Sequence, residues 1–311
     1  MRWGDRLLVL CVVIVAAANL LPLGARWSWM LELTTHFRVQ YLAVTAALLV
    51  LAALWKRWSA CAVLVVVGAV SAAPVLPYVP SPLAEVNAAP VTLKVLTVNV
   101  SYRQFDARRL LNLVREAAPD VLIVQELTPH AERVLADFDT ELPHFRKFTA
   151  DGPTGIGVWS RYELESSETF ALGRLPAIEA HVRAPQGSFT VIGAHLSSPI
   201  RPRRAAARNL ELRALGVHSR AIAEPLVVAG DFNITPYSPY FTDWLAASGL
   251  TDSRRGRTLS ASWPTMFPWF GIPIDHVAVN EGFTIVSHRR LANFESDHYG
   301  VLVELARREL P

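Results

Sequence analysis

Apolar and polar positions divide this chain into two regions of different periodicity. Three predominantly apolar runs occupy the N-terminal part, from Leu7 to Gly24, Val39 to Trp55 and Ser59 to Leu76. Each holds about 17 or 18 residues, or about 26 Å of helix, just enough to cross the hydrocarbon of a bilayer. From Thr92 onward the pattern becomes short β-rich runs bounded by turn residues and interrupted by helical periodicity. It predicts strands at Leu93 to Asn99, Val121 to Gln125, Gly157 to Trp159, Ile178 to Arg183, Phe189 to His195, Leu226 to Gly230, Ile274 to Val279 and Tyr299 to Leu305. Helices are predicted at Ala107 to Ala117, capped by Asp106 and stopped by Pro119, and at Pro129 to Phe138, Arg203 to Ala221 and Pro239 to Ser248. Alternating strand and helix with mostly continuous apolar strands predicts one α/β domain: a four-layer α/β sandwich of two packed β-sheets flanked by helices, preceded by transmembrane helices. The expected organisation is 1–78 as three transmembrane helices, 79–91 as a linker stiffened by prolines, and 92–311 as the catalytic domain.

Composition agrees with this division. The chain is 51% hydrophobic over 311 residues, too apolar for an ordinary soluble domain. Removing the six basic and three acidic residues of the first 90 positions from the 30 and 27 of the whole chain leaves 24 of each. The C-terminal region is thus balanced, so the basic isoelectric point of the whole chain is not evidence of a nucleic-acid-binding surface. Cys11 and Cys61 both lie in apolar runs and carry no information about redox compartment.

A cleaved signal peptide is the alternative to a first membrane helix, because Arg2 and Arg6 precede the apolar core. No small-x-small cleavage pattern follows near Leu23, and two further apolar segments do, which favours an anchor. Trp27, Trp29, Trp55 and Trp58 stand at segment ends, where amphipathic rings prefer the headgroup layer. Three crossings with the N-terminus inside gather Arg2, Arg6, Lys56 and Arg57 on the cytoplasmic side. The C-terminal domain is then expected to face the periplasm or exterior from an inner or plasma membrane. If the third segment, with Ser71 and Pro74 near its end, lay along the surface, this orientation would reverse.

The conspicuous polar residues all adjoin apolar strands. Asn99 ends Leu96-Thr97-Val98-Asn99, Glu126 follows Val121 to Gln125, and His195 ends Val191-Ile192-Gly193-Ala194-His195. Asp231 and Asn233 follow Val227 to Gly230, Asp275 and His276 follow Ile274, and Asp297 and His298 precede Tyr299-Gly300-Val301. Strand ends on one rim can gather side chains from distant parts of a chain, so a single cleft is expected.

Pro119-Asp-Val-Leu-Ile-Val-Gln-Glu126, Gly155-Ile-Gly-Val-Trp-Ser-Arg161, Gly193-Ala-His-Leu196, Gly230-Asp-Phe-Asn233, Ile274-Asp-His-Val277 and Ser296-Asp-His298 occur in order over residues 92 to 307. In this the chain resembles the endonuclease/exonuclease/phosphatase (DNase I-like) superfamily, as a membrane-anchored bacterial-type member. The resemblance implies a Mg²⁺-dependent phosphoesterase, with Mn²⁺ as a substitute ion. It implies Glu126 as the main metal ligand, with Asn99 and Asp297 completing the shell; hard cations favour such oxygen donors. It further implies that Asp231 orients or deprotonates the attacking water and that Asn233 holds a phosphate oxygen or Asp231 itself. His298 would contact the phosphate, Asp275 would accept its other ring proton and fix the tautomer, and His195 would bind phosphate or protonate the leaving oxygen. Many nuclease members carry an acidic residue shortly after the first Asn, whereas Val100, Ser101 and Tyr102 follow here. His276 has no part in this scheme and is read as structural.

Three functions compete: a tethered nuclease, an esterase of lipid or other small phosphodiesters near the bilayer, and a non-catalytic binding module that retains the fold. Tethering favours the second over the first. The module should have lost one of Glu126, Asp231, Asn233, Asp275 or His298, and all are present. Arg201, Arg203, Arg204, Arg208, Arg213 and Arg220 along one helix, and Arg254, Arg255 and Arg257 in a loop, would either grip a polyanion or solvate a surface. Trp269 and Phe270, ahead of Asp275, would stack a base, touch lipid or pack.

Overall fold

The computed structural model describes residues 3–82 and 90–308. Residues 83–89 of the expected linker lie outside the described residues. Contacts between Cα atoms divide the chain into Met1–Pro77 with Thr235–Pro239, and Tyr78–Ile234 with Tyr240–Pro311.

In the first unit, helices run over Trp3–Leu20, Trp29–Thr34, Arg38–Leu54 and Trp58–Ala72. The continuous helical stretches Trp3–Gly24 and Trp29–Leu54, of 22 and 26 residues, are long and apolar enough to cross a membrane. The third apolar helix stops after 15 residues at Ala72, short of the expected Leu76. Ala73 is still helical at φ −50° and ψ −50°, but Pro74 has no N–H with which to extend the ladder, and the helix ends there. Leu8, Val12, Val15, Ala52 and Leu64 form the packed seam of these helices, while Leu10, Val13, Ile14, Val50, Leu54, Val65 and Val66 point outward. Polar groups lie inside: Asn19 Nδ2 donates to Thr45 Oγ1 at 3.0 Å and to the Val15 carbonyl at 2.8 Å. An apolar exterior around a hydrogen-bonded polar pair is the pattern that a hydrocarbon solvent selects.

The second unit carries two six-stranded mixed sheets. The first has the order β11-β12-β1-β2-β4-β3, with β1 at Leu93–Asn99, β2 at Val121–Gln125, β3 at His144–Phe148, β4 at Ile156–Ser160, β11 at Phe283–Arg290 and β12 at Val301–Arg307. The second has the order β5-β6-β7-β8-β10-β9, with β5 at Glu163–Leu172, β6 at Leu175–Ala184, β7 at Gly187–His195, β8 at Leu226–Asp231, β9 at Thr251–Asp252 and β10 at Asp275–Val279. The pairs β1/β2 and β7/β8 are parallel, and each is flanked by antiparallel neighbours.

Side-chain alternation along the central strands places the core. Leu93, Val95, Val121, Ile123, Val191, Val227, Ala229, Val277 and Val279 fill the space between the sheets. Leu96, Val98, Leu122 and Val124 turn the other way, against helix Ala107–Ala117 and its neighbours. Leu226 and Val228 likewise face helices Pro202–Ala221 and Pro239–Ser248. Both faces of each sheet are covered, which gives four layers and explains why these strands read as continuous apolar runs. The four strands the sequence pattern misses, β3, β5, β9 and β11, are the four sheet edges.

Candidate active site

Odd-numbered residues of β1, β7, β8 and β10 face the gap between the sheets, and the same parity carries the polar residues at the strand ends. Asn99, His195, Asp231 and Asp275 therefore project into that gap where the apolar filling stops. In the pairing registers, Asp231 lies opposite His195 of β7 and opposite Asp275 of β10. Glu126 has the opposite parity. Its backbone turns into the left-handed region, φ +61°, on leaving β2, and its carboxylate reaches the rim. Ser101 and Asn233 share this conformation at φ +54° and +51°. Backbone strain of this kind, repeated in three site-bearing turns, marks a site whose geometry is imposed by its surroundings.

A continuous polar chain links the groups. Asn99 Nδ2 donates to Glu126 Oε1 at 3.3 Å and to Asp231 Oδ2 at 3.1 Å. Asp231 Oδ2 stands 3.6 Å from His195 Nε2 and 3.7 Å from His298 Nε2. His298 Nδ1 meets Asp275 at 3.0 Å. The Asn233 N–H donates to Asp231 Oδ1 at 2.8 Å, and its side-chain amide lies 3.4 Å from His195 Nε2. Asp231, Asp275 and His298 offer ligand atoms all within 4.8 Å of one another, close enough for a divalent ion to bridge. Asp297 lies on the exposed side of the group, its carboxylate accepting from Trp263 Nε1 at 3.3 Å. His276 is fully buried, Nε2 bonded to the Ile234 carbonyl at 2.8 Å and its ring packed on Phe232 and Phe241.

Burial and charge set the protonation states. Desolvation, with the neighbouring Asp275, pushes Asp231 up to about 6, against the opposing pull of His298, His195 and the Asn233 N–H. Burial alone would lower His298, but the Asp275 and Asp231 carboxylates outweigh it and carry the imidazolium up to about 10. Burial likewise opposes ionisation of Asp275, yet His298 with its hydrogen bond, and Ser262, hold this carboxyl below its ordinary value. The rim thus combines a carboxylate poised near neutrality with an imidazole cation.

The sequence did not reveal several supporting residues. Arg208 and Arg254 are fully buried rather than spread on a surface. Arg208 Nη1 donates to the Asn233 carbonyl at 2.8 Å, and Arg254 Nη2 to the Asp275 carbonyl at 2.9 Å. Each fixes the backbone of a rim residue. By contrast, Arg201, Arg203, Arg204, Arg213, Arg220 and Arg255 are exposed. The Tyr102 N–H donates to Glu126 Oε2 at 2.7 Å, and the exposed Arg103 guanidinium feels both Glu126 and Asp297. Arg103 is a cation within electrostatic reach of two metal-ligand candidates that sequence reasoning passed over; its signal was its place four residues after Asn99.

Oxygen donors suit a hard divalent cation. Glu126 accepts one N–H on each oxygen and keeps further lone pairs on both, and the Asn99 oxygen, engaged by the Ser101 N–H at 2.9 Å, keeps one. Close carboxylates, one with its protonation raised by a neighbour, also constitute an excess of negative charge that a cation would relieve.

Two stacked mixed sheets flanked by helices, with a carboxylate, amide and imidazole rim at one end, define the class of protein as a four-layer α/β sandwich with a polar strand-end site. Residues 96–298 match the endonuclease/exonuclease/phosphatase family, and the chain belongs to that family. No curated protein matches it in sequence. Among solved structures it is similar to an endonuclease/exonuclease/phosphatase from Beutenbergia cavernae DSM 12333, with 23% identity over 70% of this chain and 72% of that one and a TM-score of 0.57. It is also similar to D. rerio TDP2 complexed with single-strand DNA product, at 18% identity over 68% and 98% of the two chains and a TM-score of 0.60. Sphingomyelinase C from Streptomyces griseocarneus shares 17% identity over 70% and 99%, with a TM-score of 0.51.

Proposed function

We propose that this chain is a membrane-anchored, divalent-metal-dependent phosphoesterase that hydrolyses phosphodiesters by in-line attack of water. The convergence of Asn99, Asp231, His298 and Asp275, each within hydrogen-bond or ion-pair distance of the next, carries the reading. Two similar solved structures bracket the substrate, one complexed with a single-strand DNA product and one named for sphingomyelin. The apolar N-terminal helices favour a substrate at the membrane over free nucleic acid.

Glu126, with Asn99 and Asp297, would hold Mg²⁺ or Mn²⁺. When bound, the ion neutralises phosphate charge and polarises the phosphorus centre. Asp231, ionised above its raised pKa, takes a proton from the attacking water, and the Asn233 N–H on its other oxygen fixes the direction in which it accepts. His298 presents Nε2–H to a phosphate oxygen while Nδ1–H remains on Asp275, so positive charge is already in place when the phosphorane forms. His195 and the Asn233 amide stand beside Asp231 to receive the remaining oxygen or the leaving group.

The intact residues argue against a mere binding module. The deciding measurement is turnover of bis(p-nitrophenyl) phosphate by the full chain in detergent micelles with Mg²⁺ and with EDTA. Metal-dependent hydrolysis supports the reading, and turnover indifferent to EDTA sinks it.

We also propose three membrane crossings with an inside N-terminus, the linker spanning 79–91, and a catalytic domain on the periplasmic or outer side. The clustering of Lys56 and Arg57 with the basic N-terminus supports that orientation.

A further inference from the structure

Between Ser262 and Pro273 the chain makes an excursion whose ends pair with each other, the Trp263 N–H donating to the Ile272 carbonyl at 3.1 Å and the Ile272 N–H returning at 2.6 Å. Its foot is tied to the segment that carries His298. The Thr265 N–H donates to the Asp297 carbonyl at 3.0 Å, Thr265 Oγ1 to the Ser296 carbonyl at 2.8 Å, and the Trp263 ring centroid lies 6.5 Å from that of His298.

The tip is apolar and open to solvent. Met266, Phe267, Trp269 and Phe270 are 77%, 58%, 88% and 65% exposed, between half-buried Trp263 to Thr265 and buried Gly271 to Ile274. Four adjacent large apolar side chains held outward by a short helical turn at Pro268–Phe270 form a patch that water disfavours, and such patches mark contact surfaces.

The chemistry of the tip selects its partner. Single-stranded nucleic acid is gripped by aromatic rings together with a basic groove that follows the phosphates. No charged residue occurs from Thr258 to Ile274. An uncharged Met-Phe-Pro-Trp-Phe tip suits the headgroup and acyl boundary of a bilayer, where aromatic rings gain both apolar burial and a polar fringe. The chain's own apolar helices supply the reason for a bilayer to be within reach.

We propose that the Met266–Phe270 tip inserts into a lipid surface beside the catalytic rim, and that the substrate is a phosphodiester in the headgroup of a bilayer lipid. The tip lowers the distance over which a headgroup must leave the membrane to reach Asp231 and His298. The substrate assignment rests on the phosphoesterase reading; the bilayer contact does not.

The test uses the full chain reconstituted into vesicles. In vesicles containing dibromo-phosphatidylcholine and phosphatidylglycerol, bromine quenching should be smaller for Trp269→Phe than for the unaltered chain, because one membrane-inserted indole has been removed. In vesicles containing sphingomyelin and phosphatidylglycerol, the double change Trp269→Ser with Phe270→Ser should lower headgroup release by at least about tenfold. Hydrolysis of bis(p-nitrophenyl) phosphate should stay unchanged, which also verifies folding. Equal quenching of the two proteins overturns the insertion. Undiminished headgroup release by the double variant overturns the part given to the tip. No headgroup release by an unaltered chain that hydrolyses bis(p-nitrophenyl) phosphate overturns the lipid assignment, as does a selective loss of single-stranded oligonucleotide cleavage in the variant, which would make the tip a base-stacking platform. Differential quenching without turnover of any diester overturns the substrate assignment together with the phosphoesterase reading, and leaves the bilayer contact supported.

Discussion

Asn99, at the end of β1, donates from Nδ2 to Asp231 Oδ2 at the end of β8 across the gap between the two sheets, at 3.1 Å. This one contact joins the Glu126 side of the rim to the His298 side. Both residues have the parity of the inter-sheet core, so the polar contact extends the alternation that places Val95 and Val227 in that core.

Removing either reacting group should cost much more than removing a packing residue. Asp231→Asn and His298→Ala are each expected to lower kcat/KM on an activated phosphodiester by on the order of 10² to 10⁴. Steady-state kinetics of the full chain in micelles measure this, and an unaffected variant would contradict the assigned roles.

The pH profile follows from the two raised groups. Asp231 must be ionised, so activity should rise as pH climbs through about 6, or lower where a bound cation assists its ionisation. His298 must be cationic, so activity should fall as pH approaches about 10. Asp275→Asn removes the carboxylate that favours the imidazolium and should move the alkaline limb toward neutrality.

The same shift predicts a stability change. A histidine whose folded pKa is raised contributes stability that is fully present below about 6.5 and is lost as pH rises toward about 10. Melting of the micellar protein should therefore fall in temperature between those values, and the fall should be shallower in His298→Gln.

Glu126→Gln keeps the shape and removes the charge. It should leave the fold intact and raise the Mg²⁺ concentration for half-maximal activity by about tenfold or more, since it removes the charge of the main ligand proposed for the ion. A metal titration of the rate reads this directly. An unchanged midpoint would move the ion to the Asp231, Asp275 and His298 group.

Gly230 precedes Asp231 with φ +147°, and a Cβ there would sit 1.8 Å from the Ala194 carbonyl oxygen. Gly230→Ala must force β7 and β8 apart at the position that aims Asp231 at His195. The expected result is a loss of stability of more than about 1 kcal/mol with a parallel loss of rate, followed by thermal melting and kinetics.

The sequence by itself determined the central strands, because residues buried on both faces leave continuous apolar runs, and it identified the strand-end Asn, Glu, Asp and His residues through motifs that keep their local spacing. It also marked the apolar helices, whose length is a local property. The edge strands β3, β5, β9 and β11 escaped because an edge is half solvated and its pattern is mixed. Tertiary structure alone decided that Arg208 and Arg254 turn inward to hold carbonyls, that Glu126 reverses its parity through a left-handed turn, and that Met266 to Phe270 face solvent beside His298. Each of these depends on what a distant segment places next to the residue, and such non-local packing leaves no period in the chain for a sequence pattern to display.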